Sequence, residues 1–360
     1  MNYLVCHVWP STKGNHAGMS HMCDLLKSSF ANEYEVIKVN HLDKIDRNKF
    51  PLLKNKLLNS LFNFIHKSAN LGVSLKGRIY YKMKYSKLAK DLVEKLQDGD
   101  SVFLLEYLMP LCFQDEVAKI IKRNKPNVTV VALSHLTPSK MKQTFPNMNV
   151  AKWAAKVDYM TTLGDSLSNY INEEGVSKEK VKTLFHYVDL DYYTPKIKPK
   201  NERLNVIMMG SLQRDYDQLR QIIETLPNVL FTICKGRRHL PQFESFENVR
   251  LLGYLSEDEL KSEMNKADVS LNVMEDTIGS NVITTSMAMG LAMIVSDVGS
   301  IRNYCDSSNA FFCNTQDDFI QAISDLDKDR HNLYSMQEAA LTRSKEFSIE
   351  MFHEKYKSIL

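Results

Sequence analysis

Three groups able to hold a diphosphate recur at one kind of position in the second half of this 360-residue chain. Arg214 follows the strand-like run 204–210 and the small-residue turn Gly210-Ser211. Lys235 closes the run "VLFTICKG" at 229–236. The stretch "GSNVITTSMAMG" at 279–290 enters through Gly279, Ser280, Asn281 and Val282 and then takes a helical pattern. The first N–H groups of a helix have no carbonyl partner within it and carry the positive end of its dipole, so such a start takes anions. A guanidinium, an ammonium and free N–H groups together suit a diphosphate. In the first half, Gly14, Asn15, His16 and Gly18 precede the first helical pattern. A glycine loop there either brings backbone close to a ligand or simply turns strand into helix. The six cysteines form no CxxC pair and no zinc-spaced set with histidine, so neither a disulfide framework nor a metal site is expected.

These groups need a frame, and the hydrophobic pattern supplies one. Short apolar runs at 2–8, 35–39, 101–106, 128–134, 159–163 and 181–185 read as strands, with helical patterns at 18–30, 78–97, 114–123 and 165–173. A second series of strands reads at 204–210, 229–236, 249–253, 269–274 and 292–297, with helices at 215–225, 256–266 and 281–289. Near-continuous apolar strands separated by helices point to parallel sheets covered on both faces. The chain is also too long for one ordinary core. The fold expected is therefore α/β with two Rossmann-like halves. The polar segment 187–205, with Pro195 and Pro199, has the composition of a junction. The boundaries expected are 1–190, 191–345 and a final amphipathic helix within 346–360. In doubly wound sheets, ligands sit at the carboxyl ends of strands, where Arg214, Lys235 and the 281–289 helix start all fall.

Charge is uneven. Residues 41–90 hold twelve Lys/Arg against two Asp within a chain of net charge +3. Leu57, Leu58, Phe62, Tyr80 and Tyr81 are interleaved with them. Such an insert is either a solvated helical face or a docking surface for an anionic membrane. Nucleic acid would exploit the same charge, but no nucleic-acid module is recognisable and none is expected as a partner. No apolar run approaches the roughly 20 residues of a membrane span, and the N-terminus lacks a basic leader, so the expected location is cytoplasmic, peripheral on the inner membrane face at most.

Five stretches, in order, resemble the GT-B glycosyltransferases of family 4: "WPSTKGNHAGMSHMCDLL", "VVALSHLTPSKM", "AAKVDYMTTLGDSLSNYI", "HYVDLDYYTP" and "MNKADVSLNVMEDTIGSNVITTSMAMGLAMIVSDVGSIRNY". The resemblance implies a GT-B fold, with two Rossmann-like domains facing across a cleft and the last helix crossing back to the N-terminal domain. It implies sugar transfer from a nucleotide-sugar donor with retention, no bound metal and no further cofactor. The acceptor would be a saccharide or lipid-linked hydroxyl, as in bacterial-type surface polysaccharide or glycolipid assembly. By that resemblance, His135 stands beside the donor sugar and Asp276 or Glu275 contacts its hydroxyls. Arg214 grips the diphosphate, with Lys235 as a second cation, and Gly14, Asn15, His16 and Gly18 lie on the acceptor side. Two departures are visible. Ser211 stands where the family arginine directly follows the strand glycine, and Thr285 stands where a glutamate holds the ribose. A threonine hydrogen-bonds more weakly than a carboxylate there. The alternatives are a GT-B nucleotide-sugar epimerase and a nucleotide-sugar-binding protein without turnover.

Overall fold

The computed structural model describes residues 1–8, 15–40, 60, 75–109, 112–196 and 201–360. Gly14 and most of the basic stretch, 41–59 and 61–74, lie outside the described residues.

The first half is a six-stranded parallel sheet built from β1 (Asn2–Val8), β2 (Tyr34–Asn40), β3 (Ser101–Leu104), β4 (Thr129–Leu133), β5 (Tyr159–Thr162) and β6 (Val181–Thr183), in the order β2-β1-β3-β4-β5-β6. Its described helices include α1 (Met19–Ser29), α2 (Leu75–Lys95), α3 (Gln114–Asn124), α4 (Pro138–Thr144), α5 (Val150–Ala154) and α6 (Asp165–Glu173). The second half holds β7 (Asn205–Met209), β8 (Leu230–Cys234), β9 (Val249–Leu252), β10 (Val269–Asn272), β11 (Ala292–Ser296) and β12 (Ala310–Cys313), in the order β12-β11-β10-β7-β8-β9. Around it lie α7 (Tyr216–Thr225), α8 (Glu257–Lys266), α9 (Asn281–Ala288), α10 (Gln316–Lys328) and α11 (Arg330–Ser344), and the described chain closes with α12 (Ile349–Lys357). Central strand β11 is buried along its whole length, which is why "AMIVS" runs almost wholly apolar; β10, "VSLN", is equally buried but alternates, Ser270 accepting from Ser286 and Asn272 from Arg214. Strand β12, "AFFC", and helices α4, α5, α10 and α11 were not among the elements expected.

Each sheet reverses its winding once, between β1 and β3 in the first and between β7 and β10 in the second. At such a switch point the connections leave in opposite directions and a crevice opens beyond the strand ends. The two halves share one apolar cluster running from Leu4 and Phe103 through Tyr187 to Ile283 and Met287. Helix α12 returns to the first half. Its Tyr356 ring stacks on Phe103 of β3 with centroids 4.7 Å apart, and Tyr34 and His353 are hydrogen-bonded at 2.7 Å. Burying such a pair of large side chains stabilises the fold by roughly 1.5–3 kcal/mol each.

One buried acid lies under the first crevice. Glu106 accepts hydrogen bonds from the His7 backbone N–H and Gln114 Nε2, yet burial outweighs them and raises its pKa to about 8. A carboxyl whose folded pKa is raised contributes stability below its unfolded pKa and loses it as pH rises through the folded value. Between about pH 6.5 and 8 this group is therefore expected to cost about 2 kcal/mol in urea unfolding. The expected result for Glu106→Gln is a much flatter profile over that window; an unchanged slope would assign the loss to other groups.

Candidate active site

The second crevice is built around Arg214. Its residue bridges Met274, and its Nη2 donates to the Met209 carbonyl at 2.9 Å, ending β7, and to Asn272 Oδ1 at 3.2 Å, ending β10. The guanidinium thus spans the two strands on either side of the switch point. It is 9% exposed, and Nε is buried without a partner among the described residues. Burial lowers its pKa to about 10, which leaves it charged at neutral pH. Gly210 makes the approach possible. It has φ +77°, and a Cβ there would stand 3.2 Å from Val282 Cγ2 and 3.3 Å from Arg214 Nη2. Val282 belongs to α9, so the turn after β7, the arginine and the start of that helix meet at one point.

The start of α9 is open. Ser280 occupies its N-cap, but the side chain makes no capping bond, and Oγ is buried without a partner among the described residues. Asn281 sends Nδ2 to the Ala17 carbonyl of the first half, while its Oδ1 is buried without a well-aligned bond among the described residues. A buried polar group without a partner destabilises a fold by about 1–3 kcal/mol. Among the described residues Arg214 Nε and Ser280 Oγ are in this condition at the interface of the two halves, and Asn281 Oδ1 and His186 Nδ1 lack a well-aligned bond, although Asn281 and His186 interact with each other. Their concentration marks a place where a polar ligand would complete the bonding.

A cavity of about 490 Å³ opens beside the turn after β7 and Val282 of α9; Arg214, Ser280, Asn281 and His186 are not among its lining residues. Gly210, Ser211, Lys235, Arg237 and Val282 line it from the second half and Asn15 from the first. Tyr254 and Glu257 line it as well, and neither was singled out from the sequence. Burial, reinforced by neighbouring Asp258, raises the Glu257 pKa to about 7, and the Tyr193 hydroxyl donates to its carboxylate. A glutamate in the first turn of a helix is the ordinary partner of the helix dipole, so its type and place in the sequence gave no signal.

The remaining expected residues divide. His135 follows β4, and its Nε2 is hydrogen-bonded to the Leu105 carbonyl; burial lowers its pKa against that bond. His186, in the segment joining the halves, has its pKa lowered to about 3 by burial and then by His135. Both rings are therefore neutral dipoles at neutral pH. Asp276 accepts a 2.6 Å hydrogen bond from Ser139 of α4, across the cleft, while Glu275 is exposed and engaged through its backbone N–H with the Gln213 carbonyl. Gly279 donates its N–H to Thr277 Oγ1 at 3.0 Å. Thr285 is only 6% exposed, and its hydroxyl donates to the Asn281 carbonyl at 2.6 Å within the helix. It is not among the residues lining the cavity; the carboxylate that does line it is Glu257. On the first-half side, His16 turns away to Asp189, and Gly18 caps α1 at φ −82°, a conformation open to any residue.

Beyond the residues lining the cavity, the halves are tied at several points. The Tyr304 hydroxyl donates to the Leu163 carbonyl and accepts from the His186 N–H at 2.9 Å. Ser166 and Ser300 hydroxyls lie 2.7 Å apart. Asp189 Oδ2 lies 2.9 Å from both His16 Nδ1 and His21 Nε2, and its Oδ1 accepts the Tyr192 N–H at 3.0 Å. Burial would raise the Asp189 pKa, but those hydrogen bonds, His21's first, hold it well below the usual carboxylate range.

Two parallel Rossmann-like sheets facing each other, joined by a single segment and closed by a returning C-terminal helix, define the GT-B fold of glycosyltransferases. Residues 203–329, within the second half, match the family model described as Glycosyl transferases group 1. The lipopolysaccharide outer core galactosyltransferase WaaB, in its apo form, superposes with a TM-score of 0.66 at 13% identity, covering 100% of this chain and 99% of that one. Anabaena Alr3699/HepE in complex with UDP gives 0.68 at 12% identity, with 99% of each chain covered. A glycosyltransferase from Rickettsia africae ESF-5 gives 0.68 at 12% identity, over 99% of this chain and 97% of that one. No curated protein matches the chain by sequence at a significant level. Among the described residues, no helix is long and apolar enough to cross a membrane.

Proposed function

We propose that the protein transfers a sugar from a nucleotide-diphosphate sugar, of the UDP class, to a hydroxyl acceptor. The observation that carries this reading is Arg214: a buried charged guanidinium with an uncommitted Nε, held across the switch point beside an uncapped helix start. Such a group attracts an anion strongly, because the surrounding protein screens it less than water does. In this reading the diphosphate lies between Arg214 and the N–H groups of Asn281 and Val282, with Lys235 at the rim. As the sugar–oxygen bond breaks, negative charge grows on the leaving diphosphate, and these fixed donors stabilise that charge more than the ground state. Asp276 and the neutral His135 and His186 bind sugar hydroxyls. The acceptor enters from the first half.

With no carboxylate base identified among the described residues, reaction on the face of the leaving phosphate is the economical course and retention is its outcome. An NMR assignment of the product anomer decides this, and inversion overturns it. Incubation with UDP-glucose, UDP-galactose and UDP-N-acetylglucosamine, followed by chromatography of released UDP, tests the activity itself. Binding without release on any acceptor supports the non-catalytic alternative. That reading draws on the helix-bound Thr285 where the family keeps a ribose-binding acid.

Glu257 is the group in place to take over that role, because its carboxylate lines the cavity. Its pKa of about 7 makes the contact pH-dependent. UDP affinity measured by calorimetry is expected to rise as pH climbs through 7, where the acceptor oxygens become charged. Glu257→Gln is expected to weaken UDP binding about tenfold at pH 8 and to flatten the dependence. An unchanged affinity in the variant places the ribose elsewhere.

The acceptor is proposed to be lipid-linked, with the chain docked on an anionic membrane. Arg78, Lys82, Lys87 and Lys90 are exposed along α2, at the end of the basic stretch. Each such residue contributes about 1 kcal/mol near an anionic surface. The triple variant Lys82→Glu, Lys87→Glu, Lys90→Glu is expected to lower affinity for phosphatidylglycerol vesicles at least about 100-fold in a sedimentation assay. Equal binding by the variant removes the membrane from the proposal.

A further inference from the structure

We propose that His16, His21 and Asp189 form a binding site for a divalent transition-metal ion of the zinc class at the junction of the two halves. His16 lies in the turn before α1, His21 in the first turn of that helix, and Asp189 in the segment joining the halves. Their donor atoms, two imidazole nitrogens and one carboxylate oxygen, all lie within 4.8 Å of one another. Both nitrogens stand 2.9 Å from the same Asp189 Oδ2. Ligands at about 2.0–2.2 Å from one tetrahedral zinc ion stand about 3.4 Å apart, so each nitrogen would move about 0.5 Å from Asp189 Oδ2 to share one. Two nitrogens and one oxygen suit zinc better than calcium or magnesium, which take oxygen ligands.

The surroundings orient the set as an outer shell would. Asp189 Oδ1 is fixed by the Tyr192 N–H, so Oδ2 alone faces the histidines. The His16 ring stacks on Tyr192 with centroids 3.6 Å apart and planes 5° from parallel. The Tyr192 hydroxyl in turn donates to Asp258 of α8 at 2.6 Å. Asp189 is 8% exposed at its side chain, whereas His16 and His21 are 30% and 27% exposed. The ion would therefore be anchored from beneath and keep a solvent-facing position. Without an ion, each ring donates an N–H to the carboxylate. Binding needs only a tautomer exchange: the proton leaves His16 Nδ1 for Nε2 and His21 Nε2 for Nδ1, freeing a lone pair on each ligating atom. The ion would tie α1 to the joining segment and, through Tyr192, to α8. It borders the proposed donor site, since Asn15 lines the cavity and the Ala17 carbonyl accepts from Asn281, but the inference does not depend on the proposed reaction.

The test uses full-length protein stripped with chelator and dialysed, titrated with Zn²⁺ by calorimetry and with Co²⁺ by visible absorption. The expected result is one Zn²⁺ bound per chain with micromolar or tighter affinity, a raised melting temperature, and Co²⁺ d–d bands of a nitrogen- and oxygen-ligated ion. His21→Gln keeps a hydrogen-bond donor for Asp189 but supplies no imidazole. It is expected to lose more than about 100-fold in affinity, beyond the range for outer-shell changes. His16→Gln provides the same comparison should the first variant not fold, with circular dichroism as the check. Absence of stoichiometric binding, or binding equal in both folded variants, overturns the site and leaves a hydrogen-bonded clasp.

Discussion

Arg214→Ala is expected to lower the rate of sugar transfer, or of donor hydrolysis, about 10²–10³-fold while leaving the fold intact. The magnitude is that of removing one preorganised donor from a developing oxyanion. The rate falls further than donor affinity because the charge on the diphosphate is greatest as the bond to the sugar breaks. The fold survives for a specific reason. The guanidinium is desolvated, its Nε has no partner among the described residues, and its two bonds go to the Met209 carbonyl and Asn272 Oδ1. Removing it leaves two acceptors unpaired but also removes a buried charge, and these effects oppose each other. Arg214→Lys is expected to recover little, because a compact ammonium lacks the planar fork by which Nη2 reaches both strand ends while Nε points elsewhere. Steady-state kinetics with UDP release, beside urea unfolding, separate the two effects. Activity within tenfold of the parent would remove Arg214 from the diphosphate site, and with it the observation on which the functional proposal rests.

Gly279→Ala is expected to be strongly damaging at the site, through stability rather than chemistry. Gly279 holds φ +89°, which an alanine adopts only under strain. A Cβ there would stand 2.0 Å from Tyr304 Cε2 and 2.2 Å from its Cζ. The ring cannot retreat, because its hydroxyl is bonded to both the Leu163 carbonyl and the His186 N–H. Either the entry to α9 shifts or the tie between the halves breaks. We expect a loss of at least about 3 kcal/mol in urea unfolding, overpacking and backbone strain adding together. Gly18→Ala serves as the control. Its Cβ would find only Asn15 atoms, at 3.6 Å and beyond, and we expect a change within about 0.5 kcal/mol. Equal stability of the Gly279 variant and the parent would show that the turn before α9 adapts freely.

The frame of the molecule was legible because it depends on local pattern. Eleven apolar runs with helices between them correspond to eleven of the twelve strands; β12, "AFFC", was not read, although it is no shorter than β5 or β6. The anion-binding residue types were legible too. Arg214 beside a glycine turn and the polar entry of "GSNV" are local features, and the structure brings both to one switch point. Glu257, His186 and the His16–His21–Asp189 group were not legible. Glu257 looks like an ordinary first-turn acid, and the histidines and aspartate are brought together across 173 residues.

By itself, then, the amino-acid sequence determined two α/β halves and a polar, cationic edge on the second, because periodicity and turn chemistry act over a few residues. Which polar atoms there remain unbonded was decided only by tertiary structure. Thr285 spends its hydroxyl on its own helix, His16 turns to Asp189, and Arg214 Nε is left without a partner among the described residues. Hydrogen-bond satisfaction is a property of the packed whole: each group's partners come from segments far along the chain, and only their convergence fixes what is left for a ligand.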